Sequence, residues 1–238
     1  MFEDRVTVLV GHFGSGKTEV AVNGAIRLAE GGARVALADL DLVKPYFRSR
    51  AGRELLAAAG VDLVAPEGDD AGDLPIVLPR VRTLCADPEV RVVIDAGGDD
   101  TGARALGSLS DLLGRLGVGF DLVLNFRRPF TPDVDSAVAM AREIEAAARL
   151  RVTGVVSNTH LMGQTTPAIV LEGCALARET AGRLGVPLAA AVVEERMRDA
   201  VDEAALGCPV FPVRRLVQPP FDQEGYRVPR SGPLFRVL

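Results

Sequence analysis

A chain of 238 residues, 48% hydrophobic and 25% charged, has the composition of an ordinary globular α/β protein with a full core. Its formal net charge of −5 argues against a general nucleic-acid or anionic-membrane surface. Cys85, Cys174 and Cys208 lie far apart in sequence, with neither a disulfide framework nor a zinc-finger spacing, which points to a reducing, cytoplasmic compartment.

The first predicted element is a buried strand, Arg5 to Val10. It runs straight into GHFGSGKT, residues Gly11, His12, Phe13, Gly14, Ser15, Gly16, Lys17 and Thr18, which fits the phosphate-loop pattern GxxxxGK[ST] at every specified position. From Thr18 to Glu30, apolar Val20, Ala21, Ala25 and Leu28 recur at helical spacing, so strand, glycine-rich loop and helix follow in the required order. A polyphosphate needs many short, aimed donors, and glycines let successive backbone amides turn inward where a Cβ would obstruct them. Lys17 is placed to meet the β and γ phosphates and Thr18 to offer its hydroxyl to Mg²⁺, with Glu19 beside them in the first helical turn. Among 27 basic residues lysine stands only at positions 17 and 44, and an ammonium is a compact point charge that a guanidinium fork cannot replace in a tight loop.

Gly31 and Gly32 stop the helix, and Ala33 to Ala38 reads as a second buried strand ending in Asp39, Leu40, Asp41. In open α/β sheets ligands gather at the carboxyl ends of strands, and alternation along an extended segment puts Asp39 and Asp41 on one side. One acid could hold Mg²⁺ and the other orient an attacking water; the plainer reading is two solvated loop acids. The mixed loop LVKPYFRSR, with Lys44, Tyr46 and Phe47, reads either as a nucleotide-sensing switch or as the lead into a helix around Glu54 to Ala59. After a short strand, VDLVAP, comes a solvated acidic run, EGDDAGDL, and a helix over Ile76 to Cys85 with an irregular start at Pro79.

Val90 to Asp95 is a strand ending in an acid. Asp95 fits the aspartate that completes a magnesium site in P-loop NTPases, and its DxxG spacing to Gly98 would bring a backbone amide near a γ-phosphate. Phe120 to Asn125 is another strand, followed by Arg127 and Arg128 and by a helix capped by Thr131, with Pro132 in its first turn. Val152 to Ser157 ends in Asn158, Thr159, His160, Leu161. Guanine readers need an aspartate in the fourth position of such a loop, whereas Asn158 offers a donor and an acceptor to adenine, so ATP is preferred over GTP. Thr166 and Pro167 open a helix ending near Gly185; Pro187 to Val193 is the last core strand, followed by a short helix, a strand-like CPVFPV and a proline-containing tail.

With GHFGSGKT, ADLDL, VVIDAGG and VVSNTH in place, the chain resembles the MinD/ParA and CobQ/CobB (SIMIBI) class of P-loop ATPases. It is most similar to an ATP-binding branch that carries GHxGSGKTE followed by DLDxVxPYFRSR. The resemblance implies a three-layer α/β fold, a mostly parallel sheet with helices on both faces, and a nucleotide-dependent homodimer. It implies Lys17 and Thr18 on phosphate and Mg²⁺, Asp41 positioning the attacking water, Asp39 and Asp95 supporting the metal, and Asn158 at the base. One departure stands out: His12 occupies the position where MinD/ParA proteins carry a second lysine, the one that reaches across the dimer.

The expectation is therefore a single domain over residues 1–238, without leader or membrane helix, acting as a Mg²⁺-dependent ATPase switch on a protein client. Three rivals keep the same core: a metal-centre maturation chaperone, a carboxylate-activating ligase of the dethiobiotin synthetase type, and a non-hydrolysing ATP-binding regulatory module.

Overall fold

Short apolar runs alternating with longer amphipathic ones build a parallel sheet with helices on both faces. The computed structural model describes residues 1–41, 50–66, 74–97 and 100–217. The strands are β1 (Val6–Val10), β2 (Arg34–Leu40), β3 (Val61–Val64), β4 (Val90–Ala96), β5 (Gly119–Leu124), β6 (Gly154–Ser157), β7 (Leu188–Glu194) and β8 (Val210–Val213). They form one eight-stranded sheet in the order β3-β2-β4-β1-β5-β6-β7-β8, and every pairing is parallel. The helices are α1 (Lys17–Glu30), α2 (Arg50–Ala58), α3 (Leu74–Ala86), α4 (Asp100–Leu116), α5 (Val134–Ala148), α6 (Pro167–Leu184) and α7 (Glu203–Leu206).

Strand alternation divides the core in two. Val8 and Val10 face a layer that includes Val81 of α3, Leu109 of α4, Ala141 of α5 and Ala177 of α6, while Leu9 faces Val20 and Ala21 of α1 and Leu56 of α2. Each large aliphatic side chain so buried contributes roughly 1.5–3 kcal/mol, which makes β1 a rigid base for the loop that leaves it. All carboxyl ends of the strands lie on one edge, and the chain reverses direction across the sheet around β1. Such a switch point is where a ligand cleft opens.

Most predicted elements stand where the pattern placed them, with three differences. Asp133, not Thr131, caps α5: its carboxylate accepts from the Ser136 amide at 2.8 Å, while the Thr131 hydroxyl donates to the Asn125 carbonyl at 3.1 Å. The string TPD offers two good capping residues, and Thr131 is spent on closing the preceding turn. Pro79 lies inside α3 rather than at an irregular start. α4 occupies a stretch to which the sequence reading gave no element. The strand-like CPVFPV does contribute a strand, β8, which extends the sheet beyond β7. Thr166 does cap α6, accepting from the Ile169 amide, and Gly185 ends that helix with a left-handed φ of 74°. Among the described residues no helix is long and apolar enough to cross a membrane.

Candidate functional site

The loop between β1 and α1 wraps tightly at the sheet's carboxyl edge. Gly11 (φ 150°) and Gly16 (φ 83°) take backbone conformations that side chains rarely adopt; a Cβ on Gly11 would collide with the Val123 carbonyl, and one on Gly16 with the Asn158 amide. The Ser15 amide donates to the His12 carbonyl at 3.1 Å, and Arg128 braces the outside of the loop by donating from Nε to the Gly14 carbonyl at 3.2 Å. Gly16 is the left-handed cap of α1, so the amides of its first turn open toward the loop's interior. The His12 ring stacks on Phe130 at 4.1 Å, and Phe13 and Phe130 leave aromatic surface at the mouth.

Three acids surround Lys17. Parallel pairing of β2 with β4 sets Asp39 level with Asp95, and the Asp41 amide donates to Asp39 Oδ1 at 2.9 Å, folding Asp41 back over the same point. Lys17, 1% exposed, forms an ion pair with Asp41 and lies 3.8 Å from Asp95 Oδ1. Burial opposes its charge, but the carboxylates of Asp95, Asp41 and Asp39 outweigh that and hold its pKa above the ordinary lysine value. Asp39 is pushed well above the usual carboxylate range by burial and by neighbouring Asp95 and Asp41, against the pull of the Asp41 amide and Lys17. Both carboxylate oxygens of Asp95 are buried without a hydrogen-bond partner. Orphaned carboxylate oxygens of this kind, together with the Thr18 hydroxyl and Asp39, suit a hard, oxygen-seeking cation such as Mg²⁺. Among the described residues no group of three or more His, Cys, Asp or Glu side chains is arranged to hold a metal.

Beyond the loop a cavity of about 550 Å³ runs from Thr18 and Glu19 to the tips of β6, β7 and β8. Its apolar wall includes Val170, Val193, Met197 and Val213, and polar groups stand at its rim, an arrangement suited to a flat heterocycle with a polar edge. Asn158 lines it, yet its Nδ2 is already committed to the Ser15 carbonyl at 2.7 Å. Its first task in this geometry is to hold the loop. Burial, then the nearby Arg128 and Arg215 guanidinium groups, push His160 down to about 4 despite Glu194, so the ring is neutral at physiological pH. Glu194 itself pairs with Arg196 at 2.9 Å. Glu19 is pushed up to about 7 by burial, although the Leu216 and Val217 amides and the Asn23 side chain bond its charged form.

The residues expected at a phosphate site, Gly11 to Glu19 with Asp39, Asp41 and Asp95, are thus brought together, and Asn158 joins them from 143 positions away. Gly98, Lys44 with the rest of 42–49, and the acidic loop 67–73 lie outside the described residues. Glu194, Arg215 and Val217 were not singled out in the sequence. The signal available for the last two was CPVFPV itself: read as a parallel strand, it delivers the following residues to the same edge as every other strand tip.

A parallel α/β sheet whose first strand feeds a glycine-rich loop into a helix is a P-loop NTPase-like fold, the three-layer α/β architecture expected from the sequence. Solved structures similar to it include the cell division protein FtsY of Thermotoga maritima (TM-score 0.55, 18% identity, 80% of this chain and 62% of that one). Similar too are the signal recognition particle receptor FtsY of Elizabethkingia anophelis in complex with GDP (0.54, 19%, 83% and 59%) and chloroplast FtsY of Physcomitrella patens (0.53, 21%, 78% and 57%). The chain spans less than two thirds of the length of each. No protein-family model matches the sequence, and no curated protein is significantly similar to it.

Proposed function

We propose that this chain is a Mg²⁺-dependent nucleoside-triphosphate switch of the MinD/ParA-like kind, with ATP as its nucleotide, that hydrolyses the γ-phosphate and acts on a protein client, forming a nucleotide-dependent homodimer. The observation that carries the reading is the convergence of buried Lys17 with Asp39, Asp41 and Asp95 at the mouth of the glycine loop. In this reading the loop amides and Lys17 bind the polyphosphate. Thr18, Asp39 and Asp95 would hold Mg²⁺, which would supply charge neutralisation to the phosphates. A phosphate arriving at Lys17 competes with Asp41 for the ammonium, and an Asp41 so released is placed to hold and orient a water molecule. Nothing covalent is required; positioning and charge stabilisation do the work.

Adenine is favoured because the loop Asn158, Thr159, His160, Leu161 lacks the aspartate that guanine's donor edge needs. One observation favours guanine: the Glu194 carboxylate lines the same cavity, as an acceptor for that edge, although Arg196 already holds it. The test is titration of purified protein with ATP and GTP in Mg²⁺, with phosphate release followed in the same samples. Tighter ATP binding with slow release supports the proposal. Tighter GTP binding transfers the site to guanine, and binding without release favours the regulatory module.

A further inference from the structure

The four residues after β8 are tied to the first two turns of α1 by side chains whose position in a parallel fold does not call for them. Asn23 pairs with the backbone of Arg214 at two points, accepting from its amide at 2.8 Å and donating to its carbonyl at 2.9 Å. One turn earlier the Glu19 carboxylate accepts from the Leu216 amide at 2.7 Å and the Val217 amide at 3.1 Å. The Asn23 amide also bonds the Glu19 carbonyl at 2.8 Å and its carboxylate at 3.2 Å, so the two side chains brace one another. Both side chains bond the backbone of residues 214–217, at the Arg214, Leu216 and Val217 amides and the Arg214 carbonyl.

This docking places the segment against the cavity. Arg215 and Val217 line it together with Glu19 and Thr18, facing the Asn158 to Thr165 loop, and the Arg215 charge is felt at His160 across the opening. The phosphate loop, the β6 and β7 tips and residues Arg215 and Val217 all line this one space. A guanidinium there suits stacking on a base or donation to ribose oxygens, and the Val217 side chain offers an apolar face to a heterocycle.

We propose that residues 214–217 are the closing wall of the nucleoside half of the site, and that Glu19 and Asn23 are positioning residues that hold Arg215 and Val217 against base and ribose. The inference rests on the nucleotide reading above and adds to it a determinant of nucleoside affinity that lies outside the phosphate loop.

The test separates the two halves of the ligand. Affinities of the full chain for its preferred nucleotide and for inorganic tripolyphosphate, both with Mg²⁺, are compared in wild type, Arg215→Ala, Asn23→Ala, Glu19→Ala and Glu19→Gln. Hydrogen exchange is followed at the Leu216 and Val217 amides. Nucleotide affinity is expected to fall about tenfold in the three alanine variants, while tripolyphosphate affinity stays within about twofold in Arg215→Ala and Asn23→Ala. Exchange at both amides should rise in Glu19→Ala, and Glu19→Gln, which keeps an acceptor oxygen, should recover most of the loss. Unchanged nucleotide affinity in all variants overturns the wall and leaves the nucleotide reading standing. An equal fall for tripolyphosphate in Arg215→Ala and Asn23→Ala also overturns it, since the damage then lies in the phosphate loop. A wild type that binds neither ligand overturns both readings.

Discussion

The two halves of the candidate site are built on opposite principles. The phosphate half is compact and charged: one cation, Lys17, is buried among Asp39, Asp41 and Asp95, and the loop around it is fixed by left-handed glycines. The nucleoside half is a wide, largely apolar cavity whose walls come from β6, β7, β8 and the segment after β8, with polar groups already bonded to protein at its rim. Under the proposed reading the first half would respond to the charge of a polyphosphate with its Mg²⁺, and the second to the shape and hydrogen-bonding edge of a nucleoside.

The largest expected effect breaks the phosphate half outright. Lys17→Ala leaves three buried carboxylates facing each other without their cation. Nucleotide and tripolyphosphate binding should both fall at least about a hundredfold in calorimetric titration, and the fold should lose about 3–5 kcal/mol in urea melts near neutral pH. Retained nucleotide binding in a folded Lys17→Ala protein would remove the basis of the comparison. Next, Asp41→Ala should keep nucleotide affinity within a few fold while single-turnover phosphate release slows about a hundredfold. Equal turnover would leave Asp41 as nothing more than a partner for Lys17.

Asn158 tests where the boundary between the halves falls. The sequence reading puts it on the base, yet its amide holds the Ser15 carbonyl. If loop support is its main task, Asn158→Ala weakens ATP, GTP and tripolyphosphate alike by about tenfold, the effect of one buried hydrogen bond. A loss confined to ATP returns Asn158 to the nucleoside half.

The two halves also differed in how far they could be read beforehand. Gly11 to Thr18 is a contiguous motif, and the acids at Asp39, Asp41 and Asp95 stand at the ends of apolar runs, so position along the chain already implied position in space. The same logic located β1, β2, β4 and α1. The nucleoside half offers no such shortcut. Arg215 and Val217 are an ordinary basic residue and an ordinary aliphatic one until β8 pairs with β7 and turns them toward Glu19, and Glu194 is one of two adjacent acids with nothing to distinguish it. Likewise Cys174 and Cys208, far apart in sequence and read as isolated buried thiols, come together in one buried cluster with Val170 and Ala191. Their proximity depends on the same pairing of β8 with β7.

The smallest effect sharpens the contrast through pH. His160 lines the nucleoside half, with Arg128 and Arg215 on its cationic side and Glu194 opposing them. Burial and the two arginines hold its pKa down at about 4, below the ordinary 6.5. The folded protein therefore binds a proton at His160 less readily than the unfolded chain, and the stability this contributes is present above about pH 6.5 and lost as pH falls toward 4. Because the ring is partly exposed, screening reduces the contribution to about 1 kcal/mol. Urea melts of wild type and His160→Gln should give a stability difference that shifts against the wild type by that amount between pH 7 and pH 4.5. Arg215→Ala should flatten part of the slope, because it removes one of the two cations that oppose the imidazolium. A slope identical in all three proteins would mean that His160 is not enclosed by the wall that residues 214–217 build.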